Sequence, residues 1–193
     1  FPTRRSSDLV RGELTGKYLE TLGFAEGRDF MVIGCPSMYM KGKRLHIQNP
    51  KLDVNSKVCF NSNVAASVPT RKFIKLKMKE FENHYFIGQV VNELRSIYLG
   101  APYEYKIEYN FRNVTDKIYQ DGRLRFFCNV PKWMEFLNDS DLTFGSRLHG
   151  NIAAVLAGTP ALLVTKDSRT RELAEYHHLN AIHESKLNEK LTR

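Results

Sequence analysis

Cysteine is scarce: Cys35, Cys59 and Cys128 are the only three in 193 residues, widely separated and odd in number. That pattern gives neither a disulfide framework nor metal-ligand spacing, so free structural thiols in a reducing compartment are expected. No HExxH or CxxC occurs, and no dedicated metal site is expected. GxGxxG and GxxxxGK[ST] are also missing, which weakens a dinucleotide analogy and argues against P-loop chemistry. Long apolar runs are absent too. The richest stretch, 152–164, is broken by Gly158, Thr159 and Pro160 and is too short to cross a bilayer. There is no repeat of 20–50 residues and no Gly-Ser or Pro-rich linker.

What is present points to a packed protein. Apolar residues make up 42% of the chain, with 12 Phe and 9 Tyr, enough for one full domain or one domain plus part of another. The 29 Lys and Arg against 21 Asp and Glu give a formal charge of +8. These cations are spread along the chain without a zinc-finger or aromatic RNA-binding signature. The densest group, 71–79, interleaves with Phe73, Ile74, Leu76 and Met78, as the solvated face of a packed helix would. An anionic small substrate or acidic glycan is therefore expected, and a nucleic-acid partner is not.

The opening FPTRRSSDL has no methionine, apolar signal core or cleavage site, so it does not read as a signal peptide. It resembles the translation of a short-read sequencing adapter, and residues 1–9 are set aside as a non-native leader. Without Arg4, Arg5 and Asp8 the charge falls from +8 to +7, so the basic balance survives.

Beyond the leader, apolar spacing predicts a helix over 13–22, with Leu14, Tyr18, Leu19 and Leu22 on one face and Gly23 as its stop. A strand is expected at 30–33, and the polar segment 41–56 reads as an interdomain connection. Short apolar strands then alternate with helices. Strands are expected at 57–61, 85–89, 124–127, 142–144 and 161–164, and helices at 70–81, 91–99, 131–137, 151–157 and from Asp167 or Ser168 to Tyr176. Residues 100–122 read as loop. This alternation predicts an α/β fold, a Rossmann-like parallel sheet with helices on both faces. The expected division is 10–50 for the end of a truncated first domain, 51–179 for a second domain, and 180–193 for a polar, helix-compatible tail.

The chemistry-bearing segment is DLTFGSRLHGNIAAVLAGTPALLVTKDSRTRELAEYHHL, residues 141–179. In an open α/β sheet, ligands bind beyond the carboxyl ends of the strands, where helix N-termini point free N–H groups outward. Ser146, Arg147 and His149 fall at one such turn, and Lys166 to Thr170 at the next. Arginine offers a planar fork for carboxylate or phosphate, and histidine exchanges a proton near neutrality. Gly145 and Gly150 let backbone approach a ligand closely. Arg147, His149, Lys166 and Arg169 are thus expected to share one cationic, dipole-assisted pocket. The alternative for Arg147 and His149 is a salt bridge and a satisfied histidine. His177 and His178 read as structural, favourable cations at a helix C-terminus.

The run GSRLHGNIAAVLAGTPALLVTKDSRTREL resembles the C-terminal signature of the polysaccharide pyruvyl transferase family, and VRGELTGKYLETLGF followed by VIGCPSMYM resembles its segment before the second domain. The resemblance implies the C-terminal half of a two-domain fold similar to GT-B glycosyltransferases, with the site in the interdomain cleft. It also implies transfer of pyruvyl from phosphoenolpyruvate to two sugar hydroxyls, forming a cyclic ketal and releasing phosphate. No cofactor is implied, and the partners are the donor and a glycan or polysaccharide precursor. The resemblance implies a cytoplasmic enzyme, free or peripheral at the inner membrane face. Arg147, Leu148 and His149 match the donor-binding segment, with Arg147 and His149 as catalytic residues. Ser146, Gly150, Arg169 and Arg11 complete the expected substrate site. Asn61 and Asn63 stand where a further basic donor contact would be sought. Two other readings remain open here: a GT-B enzyme using a nucleotide sugar, and a non-catalytic glycan-binding homologue.

Overall fold

The computed structural model describes residues 8–100 and 114–187. Its first unit is β1 (Asp8–Val10), α1 (Glu13–Thr21) and β2 (Phe30–Val32), the two strands parallel with Asp8 opposite Phe30. Strand β1 therefore begins inside the leader set aside above; backbone pairing asks little of side-chain identity. Helix α1 lies close against β2 because Gly16 carries no side chain: a Cβ there would stand 3.0 Å from Val32 and 3.1 Å from Phe30. Leu14, Tyr18 and Leu22 of the expected apolar face are exposed. Periodicity finds an apolar face but not what covers it, and a two-stranded sheet is too narrow to cover this one.

After two 3₁₀ turns, Pro36–Tyr39 and Gly42–Arg44, the chain enters a six-stranded sheet. Its elements are β3 (Val58–Asn61), α2 (Val68–Met78), β4 (His84–Gly88), α3 (Val91–Leu99), α4 (Lys117–Gln120), β5 (Leu124–Phe126), α5 (Val130–Asn138), β6 (Leu142–Gly145), α6 (Leu148–Ala157), β7 (Ala161–Thr165), α7 (Ser168–Tyr176) and β8 (Ala181–His183). All pairings are parallel, and the spatial order is β5-β4-β3-β6-β7-β8. The chain winds outward one way from β3, returns, and winds the other way from β6. That is the doubly wound Rossmann order, with its reversal between β3 and β6.

Period-two alternation builds both layers. Val58 and Phe60 of β3 join Phe73, Ile74 and Met78 of α2 in one core cluster, while Cys59 faces Leu137 of α5 and Ala153 and Ala154 of α6 on the other side. Every residue of β3 is buried, as a central strand covered on both faces should be. Each α2 residue expected inside (Phe73, Ile74, Met78) and the adjoining Phe81 is buried.

Three elements differ from expectation. Residues 181–183 form β8, pairing with β7 as the sixth strand, where a helix-compatible tail was expected. The short α4 falls in the expected loop, of which 101–113 lie outside the described residues. Helix α6 starts at Leu148, three residues earlier than its apolar run suggests, because Gly150 and Asn151 are buried against protein and not solvated.

Candidate functional site

The carboxyl ends of β3 and β6 lie side by side, with Asn61 opposite Gly145. Asn61 is 2% exposed, and its Oδ1 accepts the Arg147 N–H at 2.8 Å. Ser146 Oγ accepts the Asn63 N–H at 2.8 Å, and Asn63 Oδ1 accepts from Ala65 N. Asn61 and Asn63 thus stitch the two strand ends together. A Cβ on Gly145 would overlap Asn61, and one on Gly150 would stand 2.5 Å from Gln89 Nε2. The close approach that both glycines permit is protein on protein, not protein on ligand.

Arg147 is turned inward. Its Nε donates to the Ser62 carbonyl at 2.7 Å, and its Nη2 donates to Glu93 Oε1 at 2.8 Å. Glu93 is fully buried, and its other oxygen accepts the N–H groups of Gln89 at 2.5 Å and Val90 at 3.0 Å. The expectation of a guanidinium fork open to the donor is corrected: two of the arginine's donor nitrogens are committed to protein. Arg147 locks the β3 turn, the start of α3 and the cap of α6 into one block. Leu148 is equally internal, packed with Ile152, Leu163 and Leu173.

The same block presents His149. The residue lies in the first turn of α6, exposed, and within range of the charges of Arg11 and Arg169. Partial burial of the ring, then the charges of Arg11 and Arg169, hold His149 below the ordinary imidazole value. Both arginines are themselves exposed. Three positions expected in the site, on the β1–α1 turn, α6 and α7, are therefore within electrostatic range of one another. Helix α6 has no side-chain cap; of its first three residues Leu148 and Gly150 are buried and His149 is exposed. Helix α7 differs. Asp167 caps it, accepting from Thr170 N at 2.7 Å, so its N-terminus already holds a carboxylate.

Lys166 does not join this cluster. Its Nζ donates to the Ala65 carbonyl at 2.8 Å, beside a small cavity that also contains Asp167 and Glu184. Those two carboxylates make that cavity a poor seat for an anion. His177 is a structural residue, as expected, but not as a cation: its Nε2 accepts the Cys35 N–H at 2.6 Å. Desolvation, then His178, lowers its pKa. Among the described residues no group of three or more His, Cys, Asp or Glu could hold a metal ion, and no helix is long and apolar enough to cross a membrane.

Sequence reasoning missed Glu93 and Glu172. Glu93 sits at the third helical position of α3, a capping-box place, but the cap residue is Val90, so the pattern is only half present. Glu172 carries no local signal, since its partner lies 158 positions upstream.

A doubly wound α/β domain binds ligands beyond the carboxyl ends of its strands, the edge from which α6 and α7 begin. The chain matches the polysaccharide pyruvyl transferase family model over residues 6–168 and belongs to that family, which is a family of transferases. No curated protein matches it. Among solved structures it is similar to a chain described as the glycotransferase of kitacinnamycin, with 14% identity and a TM-score of 0.39. The match covers 83% of this chain and 38% of that one.

Proposed function

We propose that the site binds phosphoenolpyruvate and serves transfer of its pyruvyl group to two hydroxyls of a glycan, as a cyclic ketal with release of phosphate, in a two-domain protein of GT-B-like form. The observation that carries this reading is that the exposed Arg11 and Arg169 act electrostatically on the exposed His149 in the first turn of α6, a helix without a side-chain cap. Phosphoenolpyruvate bears a carboxylate and a phosphate. Two separate guanidinium groups and a set of aligned amides supply what two anionic groups need.

The chemistry assigns a task to His149. Addition of the first hydroxyl joins its oxygen to the enol carbon and delivers a proton to the methylene carbon, which becomes methyl. The second hydroxyl then displaces phosphate, and its proton leaves with the phosphate or to solvent. His149 donates the proton to the methylene, and the proton lost by the first hydroxyl passes to solvent or back to the histidine. In the free site partial burial, then the charges of the two arginines, lower the His149 pKa. The negative charge of the bound donor offsets them, so the histidine takes up its proton as the donor arrives. Arg147 holds the frame and does not grip the donor.

Calorimetric titration of the chain with phosphoenolpyruvate, and separately with a nucleoside diphosphate sugar, tests the reading. Heat with the first and none with the second is expected. Heat only with the nucleotide sugar overturns the proposal in favour of glycosyl transfer, and heat with neither overturns it in favour of a non-catalytic homologue.

A further inference from the structure

Helix α1 opens without a capping side chain of its own, because its cap position is Gly12. The missing acceptor comes from α7: the Glu172 carboxylate accepts the N–H of Leu14, the second residue of the helix. An oxygen at that place does what a Ser or Asp at the cap would do, and its negative charge suits the positive end of the helix. Gly12 is buried in extended backbone, φ −141°, which any residue can adopt, so its lack of a side chain serves another purpose. A Cβ on Gly12 would overlap the Glu172 carboxylate. The glycine makes room for the glutamate.

Arg11 is the residue immediately before that glycine, and Arg169 lies on α7 one turn before Glu172. Two further contacts from α7 hold the same unit: the Tyr176 hydroxyl donates to the Val32 carbonyl at 2.9 Å, and His177 accepts from Cys35 N. We propose that Glu172 is a positioning residue that holds the Gly12–Leu14 backbone against α7 and so fixes Arg11 beside His149 and Arg169. This deepens the phosphoenolpyruvate reading, but its first test does not depend on that reading.

The first test is titration of the His149 ring by NMR in the unliganded chain. Glu172 is not among the charged groups that act on His149; Arg11 and Arg169 are. Removing a distant negative charge alone would lower the histidine pKa, whereas releasing Arg11 removes a nearby positive charge and raises it. Glu172→Ala is therefore expected to raise it, as Arg11→Ala does, with no further rise in the double variant. Glu172→Gln keeps an oxygen to accept the Leu14 N–H and should titrate like the parent. An unchanged or lowered value in Glu172→Ala, or a Gln variant that shifts as far as the Ala variant, overturns the proposal. If Glu172→Ala does not fold, Gly12→Ala displaces the carboxylate from the other side and must give the same rise; no rise there also overturns it.

The second test is phosphoenolpyruvate affinity. Arg11→Ala and Glu172→Ala should each weaken it about tenfold, the effect of one lost charge-assisted hydrogen bond, and should not add. Full additivity overturns the positioning role. A raised histidine value with unchanged donor affinity in both variants leaves the positioning role standing and overturns the donor assignment instead.

Discussion

Replacing Arg147 by methionine distinguishes an arginine that holds the frame from one that holds the donor. Methionine keeps much of the apolar stem but removes every guanidinium donor. Glu93 would then retain only the N–H groups of Gln89 and Val90, at 0% exposure and with no cation, and the Ser62 carbonyl would lose its 2.7 Å donor. Breaking a buried ion pair from one side costs about 3–5 kcal/mol, because the remaining charge is left uncompensated. Against a total stability on the order of 5–15 kcal/mol, that is a large share. With a urea slope of about 2 kcal/mol per molar, the unfolding midpoint should fall by about 2 M.

Trp133 is the only tryptophan and sits partly buried on α5, so its fluorescence follows the transition. Glu93→Gln in the same background should recover part of the loss. The coupling should be on the order of 1–3 kcal/mol, because the neutral amide no longer needs a counter-charge. Under native conditions Arg147→Met should keep phosphoenolpyruvate affinity within about tenfold. A midpoint within about 0.5 M of the parent, together with loss of all donor heat, would refute the reasoning and return Arg147 to the ligand.

Because His149 is held below its ordinary value of about 6.5, donor affinity should tighten as pH falls from 8 towards 6. Binding should also take up protons, read from calorimetry in buffers of different ionisation enthalpy; His149→Gln should abolish the uptake, and a parent with no uptake contradicts the assignment. His177 is also lowered in the folded state, so its contribution to stability is present above pH 6.5 and is lost as pH falls through the folded value. Urea midpoints from pH 7.5 to 5 should accordingly fall less steeply in His177→Gln than in the parent, and identical slopes would show that the Cys35 contact does not titrate. Burial raises the Cys59 thiol to about 11, whereas Cys128 is exposed. A thiol-reactive dye should label Cys128 in the native protein and Cys59 only after unfolding; peptide mapping that finds native Cys59 labelled would contradict its burial.

Most of the sheet was legible because β3, β4, β6 and β7 are short apolar runs closed by Gly, Asn or Asp, and because Asp167 and Pro131 announce helices α7 and α5. The carboxyl edge of the sheet and the turn 145–150 were legible for the same reason. The inward turn of Arg147 was not, since it depends on Glu93, 54 positions away, whose charge the local sequence does not connect to it. Periodicity also could not decide that the apolar side of α1 would stay uncovered, or that 181–183 would pair as a strand. Both depend on which neighbours the chain supplies, not on local pattern.

The distribution of roles follows from burial. An arginine capping α6 at the reversal point must cross the packed junction of β3, α3 and β6, and a desolvated guanidinium there requires a carboxylate. Glu93 answers that requirement, and with Nε and Nη2 committed Arg147 can no longer serve as the open fork. Cations for an external ligand must then come from positions that stay in water, at the ends of other elements. Arg11 and Arg169 satisfy that condition, and α7 touches both the β1–α1–β2 unit and the sheet, which brings them within range of one histidine. A substitution that loosens α7 from that unit, such as Tyr176→Phe, should weaken donor binding while leaving the unfolding of the six-stranded sheet nearly unchanged. Calorimetry and Trp133 fluorescence on the same variant check this, and parallel losses in both would mean that the two units fold as one block with no separable contact between them.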